Sequence, residues 1–204
     1  STTTHIQRPK EPLLARTNAE LAALWTSGNY AVAGAPAPDN KLTQPPQLER
    51  WMAQADAVFL EADGAKHFPV KAPAEHEPVI CEQTDIVLNV YGMSAVGKKL
   101  KEGCFRVKET GKILGKTEED ILCPEDIVTL AVSQSAGRKY VTDDMEYQVI
   151  LNQADTKEQK KMAVELAEEI VKQLSDRHAD SMECPGQIRR VHVVSDLIPL
   201  KERW

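Results

Sequence analysis

Residues 57–81 read AVFLEADGAKHFPVKAPAEHEPVIC, a stretch that joins an apolar run to a cluster of carboxylates, lysines and prolines. Val58-Phe59-Leu60 is a short apolar run that leads straight into Glu61 and Asp63. Such a run, bounded by turn signals, predicts a buried strand. Carboxylates at the carboxyl end of a strand sit where open α/β sheets hold their ligands. Gly64 then lets the chain turn, and Lys66 brings a cation close to both acids. Pro69, Lys71, Pro73, Glu75, His76, Glu77 and Pro78 follow, a polar loop with too much proline for a helix. Two readings stand: a phosphate and metal site on Glu61, Asp63 and Lys66, or a solvated connection carrying one structural ion pair.

Upstream, Thr17 or Asn18 is placed to cap a helix over residues 19–26, with Glu20 in its first turn and Gly28 as its stop. Leu21, Leu24 and Trp25 recur at helical spacing and predict one buried face. Residues 30–34 (YAVAG) predict a short strand and residues 35–41 a proline-rich loop. Pro45 and Pro46 suit the first turn of a helix to about Gln54, with Leu48, Trp51 and Met52 inward.

Downstream, residues 85–91 (DIVLNVY) predict a largely apolar strand. Gly92 to Lys98 then fits G-x-x-x-x-G-K, most of a phosphate-binding loop. Lys99 stands where a Ser or Thr would ligate magnesium. A strand-to-helix connection with Lys98 and Lys99 solvated is the better reading. Residues 117–122 predict a turn of helix, and Pro124-Glu125-Asp126 open a helix to about Ser133, its acids favoured by the helix dipole.

Glu146 to Asn152 predicts another strand, followed by Gln153-Ala154-Asp155. An Asn-x-x-Asp at a strand's end can read guanine. The aspartate accepts from the ring N–H and the exocyclic amine, both donors, and the asparagine reaches the purine edge. Gln153 stands where a Lys stem would usually lie along the base, and does this less well. The alternative is that Asp155 or Thr156 merely caps the next helix, over about 156–177. That helix carries the apolar stripe Ala163, Leu166, Ala167, Ile170, Val171 and Leu174. Residues 190–195 (RVHVVS) predict the last strand, with His192 a core or edge residue, and residues 196–204 a loosely packed tail. Strands alternating with helices predict βαβ units, and so a mainly parallel sheet covered on both faces in a single domain over 1–204.

Among 204 residues, 42% are hydrophobic and 27% charged, ordinary for a soluble globular chain. A net charge of -6 argues against a nucleic-acid partner, which selects for a basic stripe. No apolar run approaches the roughly 18 residues of a membrane span. The first twelve residues are polar, unlike a signal peptide. Cys81, Cys104, Cys123 and Cys184 are widely spaced, with no C-x-x-C, so reduced thiols in a cytoplasmic protein are expected rather than a zinc ribbon.

The segment Glu61-Ala62-Asp63-Gly64-Ala65-Lys66, continuing through Lys71 to Ile80, resembles the signature of the YqeC family. Thr2-Thr3-Thr4-His5-Ile6 is similar to the family's threonine run plus histidine, and residues 151–155 (LNQAD) are similar to its late Asn-Lys-x-Asp motif. Phe105-Arg106 departs from the family's His-Arg. The resemblance implies an accessory protein of selenium-dependent molybdenum hydroxylases, acting in the making or insertion of a selenium-containing cofactor. It implies an α/β fold of three layers around a mainly parallel sheet, P-loop NTPase-like but without a recognisable Walker A loop in this chain. The family's first strand, glycine loop and helix are expected upstream of Ser1.

Two functional readings follow. In the first, the chain binds GTP or ATP with Mg2+ and hydrolyses it when complete. Asp63 and Glu61 hold the metal, Lys66 contacts phosphate or orients the acids, Thr2, Thr3, Thr4 and His5 serve the metal and γ-phosphate side, and Asn152 and Asp155 read the base. In the second, it is a non-catalytic module that presents the 61–78 loop, with Lys71, Glu75 and His76, to a hydroxylase or its cofactor-maturation proteins. A third arrangement, a transition-metal site on His5, Glu61, Asp63, His67 and His76, would need those side chains to converge.

Overall fold

The computed structural model describes residues 1–9, 13–179 and 190–195. These fall into two units, residues 1–64 with 79–81 and residues 65–78 with the chain from 82 onward. The sequence reading of residues 196–204 and of Cys184 lies outside the described residues.

The first unit holds β1 (His5–Gln7), β2 (Leu14–Ala15), α1 (Asn18–Thr26), β3 (Val32–Ala33), β4 (Ala35–Ala37), β5 (Lys41–Thr43) and α2 (Leu48–Met52). Thr17 caps α1 as expected: its hydroxyl accepts from Glu20 N–H at 3.2 Å, and the Glu20 carboxylate accepts from Thr17 N–H at 3.0 Å. β2 and β3 pair in parallel across α1, a small βαβ unit. Ala15, Leu21, Leu24, Ala33 and Trp51 form its core, and the Trp51 indole donates to Asn18 Oδ1 at 2.6 Å.

Two expectations in this unit are corrected. Residues 35–41 do not form a loop: β4 and β5 make an antiparallel hairpin, and β1 pairs with β5. Asp39 and Asn40 turn it with φ of 58° and 54°, a conformation that their short polar side chains tolerate. Pro36 is tolerated because β4 lies at the edge of its sheet. The second correction concerns the apolar run before Glu61. Residues 57–60 form no strand, and Phe59 is 79% exposed. A parallel bridge joins Thr2 to Glu61, flanked by hydrogen bonds from Ser1 N to the Phe59 carbonyl and from Glu61 N–H to the Ser1 carbonyl. An apolar run is buried only when a facing layer covers it, and no local pattern reports that layer.

The second unit holds β6 (Val70–Lys71), β7 (Ile86–Gly92), α3 (Leu100–Gly103), β8 (Cys104–Phe105), α4 (Val107–Leu114), α5 (Pro124–Val132), β9 (Glu146–Asn152), α6 (Lys157–Ala179) and β10 (Arg190–Val193). Its main sheet is parallel, in the order β10-β9-β7, with Ile86 opposite Glu146 and Arg190 opposite Gln148. Tyr91, Tyr147, Val149 and Leu151 face a core shared with Ile127 and Leu130 of α5 and Ala163, Leu166, Ile170 and Leu174 of α6. The apolar stripe read from α6 is therefore the packed face, apart from Val171, which is exposed.

Burial on both faces of β7 is not observed. Ile86, Leu88 and Val90, alternate residues of one face, are 47%, 46% and 52% exposed. A near-continuous apolar run signals two-sided burial in parallel sheets, but here helices cover the Tyr91 side. His192 lies on edge strand β10, its Nε2 2.7 Å from Gln148 Oε1.

Residues 117–122 are a turn rather than a turn of helix. The Asp120 carboxylate accepts from both the N–H and the hydroxyl of Thr117 at 2.7 Å, a side-chain bond that competes with helix. An antiparallel bridge from Ile121 to Lys99 then draws the segment out. Pro124 opens α5, and Asp126 accepts from Cys123 N–H at 2.6 Å.

Candidate functional site

Each unit gathers part of the residues that the sequence singles out. In the first, the threonine run meets the backbone of Glu61. Thr2, fully buried, donates its hydroxyl to the Glu61 carbonyl at 2.9 Å, and Thr3 N–H reaches the same carbonyl at 3.1 Å. The Thr3 hydroxyl donates to the Val79 carbonyl at 2.6 Å, and the Thr2 hydroxyl also accepts from Thr4 N–H at 2.9 Å. Val79 N–H in turn bonds the Ala62 carbonyl at 3.1 Å. The segment carrying Glu61 and Asp63 is thus clamped from two sides. His5 opens β1 opposite Thr43 and is exposed. Gly64 follows so closely on Glu61 that an added Cβ would lie 3.0 Å from Glu61 Oε1. Glu61 and Asp63 are oxygen donors of the class that would hold a magnesium ion beside water and phosphate. Among the described residues, no three or more His, Cys, Asp or Glu come together as a metal-holding group.

In the second unit Glu77 is the hub. Its Oε2 accepts from Lys71 Nζ at 2.8 Å, Arg106 Nε at 2.9 Å and Ala74 N–H at 2.9 Å, while Oε1 accepts from Arg106 Nη2 at 2.8 Å. Burial pushes the Glu77 carboxyl up, but the Arg106 and Lys71 bonds and the Ala74 N–H outweigh it and hold the pKa down to about 2. The Phe105 ring lies under three cations: Lys66 Nζ is 5.0 Å from its centroid, Lys71 Nζ 5.4 Å and the Arg106 guanidinium 5.3 Å. Phe68 stacks on Phe105 at 6.1 Å. Lys66 and His67 both have positive φ, 49° and 67°, in the turn that aims this segment.

Glu75 and His76 are exposed at the crest of the loop. Its backbone is held from beneath: Lys139 Nζ donates to the Ala74 and Glu75 carbonyls at 2.6 and 2.9 Å, and the Tyr140 hydroxyl donates to the Glu75 carbonyl at 2.9 Å. Sequence reasoning picked Lys66, Lys71, Glu75 and His76 but missed Glu77 as the anchor, and Phe105 and Arg106 as its surroundings. The 29-residue separation of Glu77 from Arg106 leaves no local signal.

The carboxyl ends of β7, β9 and β10 carry the third group. Asn152 ends β9 beside Gly92 of β7. Gln153, at φ 59°, does not extend as a base-stacking arm: its Oε1 accepts from the Ser94 hydroxyl at 2.5 Å. Asp155 Oδ1 accepts from the Ser195 hydroxyl at 2.9 Å. The cap of α6 falls to Thr156, whose hydroxyl accepts from Gln159 N–H at 3.1 Å, with the Gln159 side chain returning to the N–H groups of Thr156 and Asp155 at 3.0 and 3.1 Å.

Gly92 to Lys98 is a connection. The N–H groups of Gly92, Val96, Gly97 and Lys98 go to the carbonyls of Pro69, Met93, Leu122 and Ala95, so they are not arrayed around an anion. Lys99, expected to be solvated, bonds the Glu119 carboxylate at 2.8 Å.

The described residues therefore make a mixed α/β protein with a parallel sheet whose carboxyl ends carry polar loops. The chain belongs to the YqeC family: the family model described as YqeC protein matches residues 1–108 of its 204. A protein of Escherichia coli (strain K12), named Uncharacterized protein YqeC, is 36% identical over 78 residues, which are 38% of this chain and 30% of that protein. The match thus spans less than a third of that relative's length. No solved structure matches. No described helix is long and apolar enough to cross a membrane.

Proposed function

We propose that this chain is a nucleotide-binding accessory protein that prefers GTP, a cytoplasmic NTPase-type component in the biosynthesis or insertion of a selenium cofactor for molybdenum hydroxylases. The observation that carries the nucleotide part is the state of Asp155. Thr156 takes the helix cap, and the Ser195 hydroxyl holds Asp155 at the carboxyl end of the central strand β9. An oriented carboxylate suits the two donors on guanine's edge and repels the acceptor of adenine's ring. Asn152 is one turn of chain away on the same strand end. Glu61 and Asp63 are the groups assigned to magnesium, and Lys66 to phosphate, within a P-loop NTPase-like architecture. The selenium part rests on the resemblance of residues 61–66 and 71–80 to the family signature.

Calorimetric titration with Mg-GTP and Mg-ATP tests this. The expected result is binding that favours GTP and loses that preference in Asp155→Ala. Equal affinity for both nucleotides, unchanged by Asp155→Ala, would refute the base site. One observation favours a second reading, the non-catalytic module: Lys139, Tyr140 and Glu77 fix the loop while Glu75 and His76 stay exposed at its crest. Asp63→Asn separates the two, because it abolishes hydrolysis under the first and spares partner binding under the second.

A further inference from the structure

We propose that Ser94 and Gln153 are positioning residues for base selection: the hydrogen bond between them sets the loop that carries Asn152 and Asp155. Their role rests on the nucleotide reading above. All four residues belong to the second unit. Asn152 is the last residue of β9 and lies opposite Gly92, the last residue of β7. Gln153 follows at φ 59°, a left-handed conformation that its side chain disfavours and that Gly, Asn and Asp adopt more readily. Such a residue persists only where its surroundings hold it. Here they do so on both sides. Towards β7, the Ser94 hydroxyl donates to Gln153 Oε1 at 2.5 Å. Gly92 leaves room for that side chain, since an added Cβ would lie 2.6 Å from Gln153 Oε1 and 2.6 Å from Pro69 Cβ. Towards β10, Ala154 is fully buried, and its N–H donates to the Val194 carbonyl at 3.0 Å.

The Ser94–Gln153 bond joins residues 59 apart and ties the connection after β7 to the connection after β9. The Ser195 hydroxyl ties the connection after β9 to the one after β10 through Asp155. The loop is thus held at both ends, and its left-handed residue lies between the two groups assigned to the purine. A change of φ at Gln153 swings Asp155 relative to Asn152. Two contacts on one planar base tolerate little of that, because recognition groups must be held close to the productive geometry by the bonds behind them. Gln153 therefore acts through the backbone: its side-chain oxygen is taken up by Ser94.

The test titrates Mg-GTP, Mg-ITP and Mg-ATP into the whole chain and into Ser94→Ala, Ser94→Thr and Gln153→Gly, with a thermal melt of each. Loss of the Ser94 hydroxyl is expected to lower the preference for GTP over ITP about three- to tenfold, the effect of one hydrogen bond. Ser94→Thr keeps the hydroxyl and should restore it. Gln153→Gly adopts the left-handed conformation freely but offers Ser94 no oxygen, so the preference should fall there too. A role in stability alone would lower the melting temperature and weaken all three nucleotides alike. That result, or an unchanged GTP-to-ITP ratio in Ser94→Ala, overturns the positioning role and leaves the nucleotide reading intact. Should Ser94→Ala fail to fold, Gln153→Gly decides: a retained ratio overturns the role and a lowered one supports it. A wild type that binds the three nucleotides equally, or none of them, refutes the base site and the positioning role with it.

Discussion

The Ser195 hydroxyl donates a 2.9 Å hydrogen bond to Asp155 Oδ1, joining the loop after β10 to the loop after β9. The ladder between the two strands runs on beside it, with Val194 N–H on the Leu151 carbonyl and Ala154 N–H on the Val194 carbonyl. This bond restrains the carboxylate before any ligand arrives, which lowers the ordering cost of binding. Ser195→Ala should therefore keep the fold and reduce discrimination between Mg-GTP and Mg-ITP, which lacks the exocyclic amine, by about three- to tenfold, the effect of one hydrogen bond. Titration of both nucleotides reads this; a ratio unchanged from the wild type would dismiss Ser195 as a positioning residue.

Glu77 should govern acid stability. Its folded pKa, about 2, lies below its ordinary value of 4.5. The folded state therefore binds fewer protons than the unfolded state in this window, and the stabilisation is full above pH 4.5 and lost as pH falls towards 2. The side chain is 13% exposed, so solvent screening is weak, and the contribution is on the order of 2–3 kcal/mol. Urea melts between pH 6 and pH 2.5 should show this loss in the wild type and a flatter profile in Glu77→Gln.

The same Glu77→Gln change at neutral pH should destabilise the chain by about 3 kcal/mol, because it leaves Lys71 and Arg106 partly buried without the carboxylate that anchors them. Chemical denaturation measures it. A loss below about 0.5 kcal/mol would place this network among surface pairs of little weight.

Gly92 and Lys98 should behave differently from residues of a phosphate-binding loop. A Cβ at Gly92 would sit 2.6 Å from both Gln153 Oε1 and Pro69 Cβ, so Gly92→Ala should cost about 1–3 kcal/mol through overpacking. Lys98→Ala should leave nucleotide affinity within twofold. A collapse of affinity in Lys98→Ala, with stability unchanged, would restore the phosphate-loop reading of this segment.

Thr156→Ala should shorten the start of α6 and cost about 1 kcal/mol, because its hydroxyl caps Gln159 N–H. Guanine preference should survive, since Asp155 is held by Ser195 rather than by the cap. Paired thermal melts and nucleotide titrations of this variant separate the two roles.

Elements whose cause is local were legible in the linear chain. Thr17 and Glu20 start α1, Pro124 and its acids start α5, Thr156 and an apolar stripe define α6, and the 146–152 strand is observed with the expected bounds. Caps and periodicity act within one turn or one pleat, so a linear pattern carries them. The rest depends on contacts between segments far apart in the chain. Whether Val58-Phe59-Leu60 or the Ile86-Leu88-Val90 face is covered depends on layers the segment does not contain, and both are substantially exposed. Glu77 finds Arg106 across 29 residues, and Asp155 finds Ser195 across 40. Those pairings are made when strands β8 and β10 take their places beside β6 and β9, and the geometry of a pair set by strand order is absent from either partner's neighbourhood in the chain.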